Sequence, residues 1–137
     1  MKTITVETTI TRDIETVWNS FTLPEHIVKW DQASDDWHCP RATNDLRVGG
    51  TFVITMASKD GANGFDFTGT YTVVELYKKI EYAIVDGRKV SVVFDKIDEN
   101  TTKIAETFEM ESTNSEELQR QGWQAILTSL KNYTESI

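Results

Sequence analysis

The C-terminal stretch 113–137 constrains the fold more than any other part of this sequence. Its apolar side chains recur at intervals of three or four residues, at Trp123, Ile126, Leu127, Leu130 and Tyr133. This spacing predicts one long amphipathic helix with an apolar stripe along one face. Such a helix must bury its stripe against a second layer. Because the preceding residues alternate between apolar and polar, we expect that layer to be a curved sheet, with room for a pocket between sheet and helix.

Composition excludes several classes of function. The 137 residues are expected to form one domain, spanning 1–137, with a core of its own. Lys+Arg 14 against Asp+Glu 22 gives a net charge of -8, which argues against nucleic acid and against an anionic membrane surface. Cys39 is the one cysteine, so no intrachain disulfide can form. The N-terminus has no signal-peptide pattern and no apolar run could span a bilayer, so we predict a cytoplasmic protein.

The first part of the chain predicts a strand followed by two short helices. Residues 3–12 alternate as a half-buried strand does. Asp13 can cap a helix whose apolar stripe is Ile14, Val17, Trp18 and Phe21. Pro24 then opens a second helix, which ends near Trp30. The two helices are expected to form a V that closes one end of the sheet.

The middle of the chain predicts an antiparallel meander of about six strands. Residues 31–44 are interpreted as a polar loop, with a short edge strand near Cys39. Further along, one strand is expected to present a single face made of Phe65, Phe67, Gly69, Tyr71 and Val73. Thr113 with Glu116 offers a capping box for the final helix, and Asn114 is the alternative cap. The element order predicts an α+β fold, a curved antiparallel sheet of about six or seven strands wrapped around the C-terminal helix.

Several local strings resemble the SRPBCC or START-like superfamily, which has the helix-grip fold of the birch pollen allergen. Within it the chain is most similar to the group named for the C-terminal domain of the activator of heat-shock protein 90 ATPase. The matching strings are Val17–Glu25, Lys29-Trp30, Asp45–Phe52, Gly69-Thr70-Tyr71, and Gly122-Trp123 followed by Leu127 and Leu130. The resemblance implies a cavity for apolar small molecules and no universal catalytic residue. The chain departs from it at Asp31–Asp36, where that group usually has a segment with proline and glycine, near the pocket mouth.

We predict a ligand cavity between the C-terminal helix and the sheet. Its wall is expected to consist of inward-facing strand residues and two residues of the last helix, with tryptophans at the mouth. The predicted ligand-binding residues are Trp30, Trp37, Phe52, Ile54, Met56, Phe67, Tyr71, Tyr82, Phe94, Glu106, Phe108, Met110, Trp123 and Leu127.

Glu106 is the one candidate for a catalytic residue. It shares strand parity with Ile104 and Phe108, so it is expected to face inward, where burial raises the pKa of a carboxyl group. Such a group suits a general acid or a polar anchor. The alternatives are an outward turn at a bulge, or a structural ion pair with Arg47 or Arg88.

No metal site and no cofactor are predicted. His38 and Cys39 are adjacent, so in a strand they point in opposite directions, and His26 is the only other imidazole. The same geometry argues against a Cys–His nucleophilic pair. Gly49-Gly50 lacks the lysine of a phosphate loop and precedes a strand, so it is interpreted as a turn or bulge.

Three functions stay open at this point. The first is binding of an apolar small molecule in the cavity. The second is an enzyme of the cyclase, hydratase or isomerase kind, with Glu106 and Tyr71 or Tyr82 as its acid/base pair. The third, by resemblance, is a module that binds a chaperone partner. The sequence also leaves a homodimer open.

Overall fold

The chain runs from an edge strand through two short helices into a meander and ends in a long helix. The structure, a computed structural model, describes residues 2–137. Its elements are β1 (Thr3–Ile10), α1 (Ile14–Thr22), α2 (Pro24–Trp30), β2 (Trp37–Asn44), β3 (Thr51–Ser58), β4 (Gly64–Glu75), β5 (Lys79–Ile84), β6 (Lys89–Asp98), β7 (Thr101–Glu109) and α3 (Glu116–Ser136).

One antiparallel sheet holds all seven strands, in the order β1-β7-β6-β5-β4-β3-β2. The last strand of the meander pairs with the first strand of the chain, so that Val6 lies opposite Glu106. Register shifts occur between Tyr71 and Val73 in β4 and between His38 and Arg41 in β2. Bulges of this kind bend a strand and increase its twist, which helps the sheet curl. The predicted α+β helix-grip fold is confirmed, with the curled sheet wrapped around α3.

Long polar side chains of α3 cover the free edge of β1. Arg120 Nη1 donates to the carbonyl of Thr5 at 3.2 Å, and Gln124 Nε2 donates to that of Glu7 at 3.2 Å. Two helical turns beyond Gln124, Lys131 Nζ donates to the carbonyl of Thr9 at 2.8 Å. An exposed strand edge has unpaired carbonyls that invite pairing with another chain. These bonds occupy three of them and fix α3 along β1.

The two short helices close one end of the curled sheet. Asp13 caps α1 by accepting a hydrogen bond from the backbone N–H of Thr16 at 3.2 Å. Trp30, the last residue of α2, donates from Nε1 to Ser20 O at 2.7 Å. Its own carbonyl accepts from Ser129 Oγ at 2.7 Å. Trp30 therefore ties α1, α2 and α3 together.

Three local predictions were wrong. The last helix starts at Glu116 rather than at 113, because Ser115, and neither Thr113 nor Asn114, caps it by accepting from Leu118 N at 3.1 Å. The predicted edge strand near Cys39 is confirmed, but it is longer than the loop prediction for residues 31–44 allowed: residues 37–44 form a full strand with a bulge, because pairing with β3 continues on both sides of Pro40. The β4 bulge at Thr72 reverses the parity of that strand. Val74, and not Val73, therefore packs against the core and lies opposite Ile80.

Candidate functional site

A cavity of about 240 Å³ lies between α3, the C-terminal end of α2 and the inner face of the sheet. Its wall is mostly aromatic and aliphatic, with a few polar groups. The wall consists of Phe21, Ile27, Trp30, Asp31, Asn44, Phe52, Ile54, Met56, Phe65, Phe67, Tyr71, Tyr82, Glu106, Trp123, Ile126 and Leu127.

The position of α3 explains why space is left at this end. The closest backbone contacts of α3 are with β1, α1 and α2, so the helix lies nearer to the β1 edge than to the middle strands. Side chains alone must fill the gap to β3, β4 and β5. Phe52 lies flat against the sheet, since Gly69 stands opposite it and a Cβ there would come within 2.7 Å of its ring. The glycine thus leaves room for the ring against the strands.

Most of the predicted ligand-binding residues lie on this wall. They come from α2, from the strands β3, β4, β5 and β7, and from α3. They are Trp30, Phe52, Ile54, Met56, Phe67, Tyr71, Tyr82, Glu106, Trp123 and Leu127.

Four predicted residues lie elsewhere. Phe94 packs at 4.9 Å from Trp18 and belongs to the cluster under α1. Phe108 is covered by Trp123, whose ring stacks on it at 4.1 Å and takes the wall position. Met110 follows β7, which ends at Glu109. Trp37 does not line the cavity. Its ring centroid lies 6.0 Å from that of Phe65, which does line the cavity.

Tyr71 is held by a short chain of hydrogen bonds. Its hydroxyl donates to Asn44 Oδ1 at 2.5 Å, and Asn44 Nδ2 donates to the carbonyl of Thr22 at 2.7 Å. Burial raises the pKa of Tyr71 well above its usual value. The Tyr71 hydroxyl thus has a structural hydrogen bond, and through Asn44 it links β4 to β2 and α1.

Tyr82 has a different environment from its neighbour Tyr71, 6.2 Å away. Its hydroxyl makes no hydrogen bond to any group in residues 2–137. Burial, and then the charges of Glu106, Tyr71 and Asp31, raise its pKa well above the usual value. The Tyr82 hydroxyl therefore stays protonated at neutral pH and can donate a hydrogen bond to a group in the cavity.

Two carboxyl groups line the same cavity. Glu106 is buried, as its strand parity predicted, and Asp31 is buried at the C-terminal end of α2. Burial, followed by the charge of Asp31, raises the pKa of Glu106 to about 8. Burial raises the pKa of Asp31 to about 7. The free carbonyls at a helix C-terminus disfavour a negative charge further.

Asp31 and five other wall residues were not predicted from the sequence. The others are Phe21, Ile27, Asn44, Phe65 and Ile126. Ile126 belongs to the helical stripe of α3, so its spacing could have placed it on the wall. Asp31 has no such signal, because it opens a run that also contains the exposed Asp35 and Asp36. Only the tertiary packing of Trp30 turns its neighbour inward.

The described part of the chain has no cluster of three or more His, Cys, Asp or Glu side chains that could hold a metal ion. None of the helices in residues 2–137 has both the length and the apolar character needed to cross a membrane. The wall has the chemistry of a pocket for an organic molecule, with apolar surface and a few groups for hydrogen bonding.

Comparison with known proteins relates the chain to one family. Residues 11–135 match the family described as Activator of Hsp90 ATPase homolog 1-like protein. The solution structure of an AHSA1-like protein from Aeromonas hydrophila is 41% identical, with a TM-score of 0.92 over 98% of this chain and 93% of the other. A solution structure from Cytophaga hutchinsonii is 55% identical, with a TM-score of 0.83 over 97% and 92%. No curated protein matches the sequence significantly.

More distant relatives share the fold alone. A crystal structure from Chromobacterium violaceum is 20% identical, with a TM-score of 0.86 over 98% of this chain and 99% of that one.

Proposed function

We propose that this chain, which belongs to the family of Activator of Hsp90 ATPase homolog 1-like proteins, binds an apolar small molecule in the cavity under α3. Family membership supports either a ligand-binding or a chaperone-associated module in general. The observation that carries the first choice is the cavity itself, which is lined mostly by aromatic and aliphatic side chains. Binding would rest on the removal of apolar surface from water, at roughly 25 cal/mol per Å².

The size and shape of the cavity favour a small, flat ligand. Its volume of about 240 Å³ is below the range of drug-sized pockets, which begins at about 300 Å³. Aromatic rings stand edge-on to one another along the wall, with Phe52 at 4.9 Å from Tyr82 and Phe67 at 6.3 Å from Trp123. An aromatic ligand would extend this arrangement of edges and faces.

The wall is pre-formed. Trp30 is fixed by hydrogen bonds to Ser20 and from Ser129, and Tyr71 is fixed by Asn44. A cavity held open in this way does not have to order its side chains when a ligand enters, which lowers the cost of binding.

Methyl NMR titration with naphthalene and indole, two neutral apolar probes, tests the proposal. We expect saturable shifts of the methyl groups of Ile54, Met56 and Leu127. Ile126→Trp should abolish them by filling the cavity, whereas Thr128→Trp, on the exposed face of the same helix, should not. Absence of saturable shifts with both probes would overturn the proposal, and so would equal effects of the two variants.

A second candidate function is proton transfer on a bound ligand. It is favoured by Glu106, whose pKa of about 8 is close to the value that suits a general acid or base at neutral pH, and by Tyr82 on the same wall. Hydrogen–deuterium exchange at the carbon beside the carbonyl of 2-indanone measures such a transfer. We expect acceleration by the protein that Glu106→Gln removes and Glu99→Gln, in an exposed turn, retains. Equal exchange with and without protein would exclude this candidate for that class of ketone.

A further inference from the structure

We propose that the ligand of this cavity has a basic amine, which lies between the carboxyl groups of Asp31 and Glu106. This inference deepens the proposed function and rests on it. It names a class of ligand, an apolar skeleton with a protonated nitrogen, that neither the fold nor the family specifies.

Both carboxyl groups are buried, and neither has a partner within residues 2–137. Glu106 is 6% exposed and Asp31 is 9% exposed. Neither side chain makes a hydrogen bond or an ion pair to any group in residues 2–137. Buried carboxyl groups in native proteins are normally paired or hydrogen-bonded, because an unpaired charge is costly to remove from water. The missing partner is therefore expected from outside the chain.

The groups that share the wall with the two carboxyls supply no positive charge. Among the described residues, the titratable groups on the wall besides them are Tyr71 and Tyr82, and no Lys, Arg or His lines it. Burial, and then the charge of the nearby Asp31, raises the pKa of the Cys39 thiol to about 11. Nothing in this part of the chain supplies a positive charge. The chain as a whole has a net charge of -8, which also attracts cations.

An ammonium group fits the chemistry of the wall. Its N–H groups can donate charge-assisted hydrogen bonds to both carboxylates. The rings of Trp30, Phe67 and Trp123 line the same space and attract a cation to their faces. An anionic ligand would instead meet two acids and no cation.

Proton balance gives the inference a measurable signature. With pKa values of about 7 and about 8, Asp31 is about half protonated and Glu106 is mostly protonated at neutral pH. A bound ammonium favours the ionised carboxyls, so each carboxyl that ionises releases one proton to solvent, while the amine keeps its own. Affinity for an amine should therefore rise with pH as long as the amine itself stays protonated.

The test is calorimetric titration with three ligands that share one skeleton: 1-naphthylmethylamine, 1-naphthylmethanol and 1-naphthoate. At about pH 8.5 we expect the amine to bind about tenfold tighter than the alcohol, and the carboxylate to bind weakest. At about pH 6 the ratio of amine to alcohol affinity should fall toward one. Proton release on amine binding, measured in buffers of different ionisation enthalpy, should be larger at about pH 7 than at about pH 8.5, because the carboxyls hold more protons at the lower pH.

Charge-neutral variants locate the effect. Glu106→Gln and Asp31→Asn should each lower the ratio of amine to alcohol affinity, and the double variant should bring it close to one. Glu99→Gln makes the same change in net charge in the exposed turn between β6 and β7, and it should leave the ratio unchanged.

The outcomes separate the two proposals. Equal affinity for amine and alcohol overturns the inference and leaves the cavity as a binding site for neutral molecules. The same holds if naphthalene binds and the amine does not. If naphthalene and all three derivatives fail to bind, the proposed function fails, and the inference fails with it.

Discussion

The two ends of the space under α3 are built from the same sheet and helix but differ in how they are filled. At the closed end, beside α1, the side chains of Ile10, Val17, Ile104 and Leu130 are completely buried and packed together. At the cavity end, Leu127 is almost as deeply buried, yet it borders about 240 Å³ of space. Burial alone therefore does not reveal packing. The contrast indicates that the closed end supplies packing energy, whereas the cavity end leaves space between its side chains.

The unpaired polar groups at the two ends also differ in kind. Within residues 2–137, the fully buried side-chain atoms without a partner are two hydroxyls, Ser20 Oγ and Thr134 Oγ1. At the cavity end the groups without a partner are the carboxyls of Asp31 and Glu106, which line the cavity and have pKa values of about 7 and about 8. A neutral hydroxyl is far cheaper to leave unpaired than a carboxylate. Of these unpartnered groups, only the two carboxyls therefore make stability depend on pH.

The largest expected effect comes from truncating two leucines of α3. Leu130→Ala should reduce the free energy of unfolding by about 3–5 kcal/mol, because the packed end cannot collapse around the lost atoms. Leu127→Ala should cost only about 2–3 kcal/mol, since one side of Leu127 already faces empty space and has fewer contacts to lose. Urea denaturation measures both. Equal losses would mean that the two ends are packed alike.

The next effect is a pH dependence of stability that arises at the cavity end. The pKa of Glu106 is about 8 in the folded protein, against an ordinary 4.5. Between these values the unfolded chain has lost the proton that the folded chain keeps, so stability falls as pH rises. Glu106→Gln removes this contribution. It should therefore raise the free energy of unfolding by on the order of 3 kcal/mol at about pH 9, and change it little at about pH 4.

The same denaturation series contains its own controls. Asp31→Asn should act in the same direction, since its pKa is raised from 3.8 to about 7. Glu99→Gln, at an exposed turn, should leave the pH dependence as it is. If the free energy of unfolding of Glu106→Gln equals that of the parent protein at every pH, Glu106 ionises freely in the folded protein.

The sequence predicted the closed end better than the cavity end, for a physical reason. The stripe of α3 and the alternation of the strands report which side chains face inward, and they correctly placed Glu106 beside Ile104. They do not report where the inward side chains leave a gap. That depends on how far α3 lies from the middle strands, and α3 lies along β1, where Arg120 and Lys131 donate hydrogen bonds to the edge of the strand.

The misplaced residues follow the same rule. Phe94 and Phe108 do face inward, but other rings stand between them and the cavity. The bulge at Thr72 exchanges Val73 for Val74, and periodicity cannot foresee a single inserted residue. Asp31 is turned inward because Trp30 is anchored to Ser20 and Ser129. Each of these depends on contacts between elements distant in sequence.

A smaller effect is expected from Gly69, which lets Phe52 lie against the sheet. In Gly69→Ala the new Cβ would meet the Phe52 ring at 2.7 Å and the carbonyl of Ala83 at 3.1 Å. The ring must then move toward the cavity, at a cost of about 1–3 kcal/mol. Thermal denaturation gives the loss, and naphthalene affinity should fall in parallel. A loss of stability with unchanged affinity would show that the ring moves away from the cavity.

The smallest effect is expected from the two buried hydroxyls. Ser20→Ala and Thr134→Val each remove an unpaired polar group from the closed end. Replacing such a group by an apolar one of similar shape is close to neutral or stabilising, because no hydrogen bond is lost and a desolvation penalty disappears. We expect changes within about 1 kcal/mol, at any pH, by urea denaturation. A clear destabilisation by either variant would mean that the hydroxyl is satisfied after all, for example by a buried water, and that the closed end is less dry than its packing indicates.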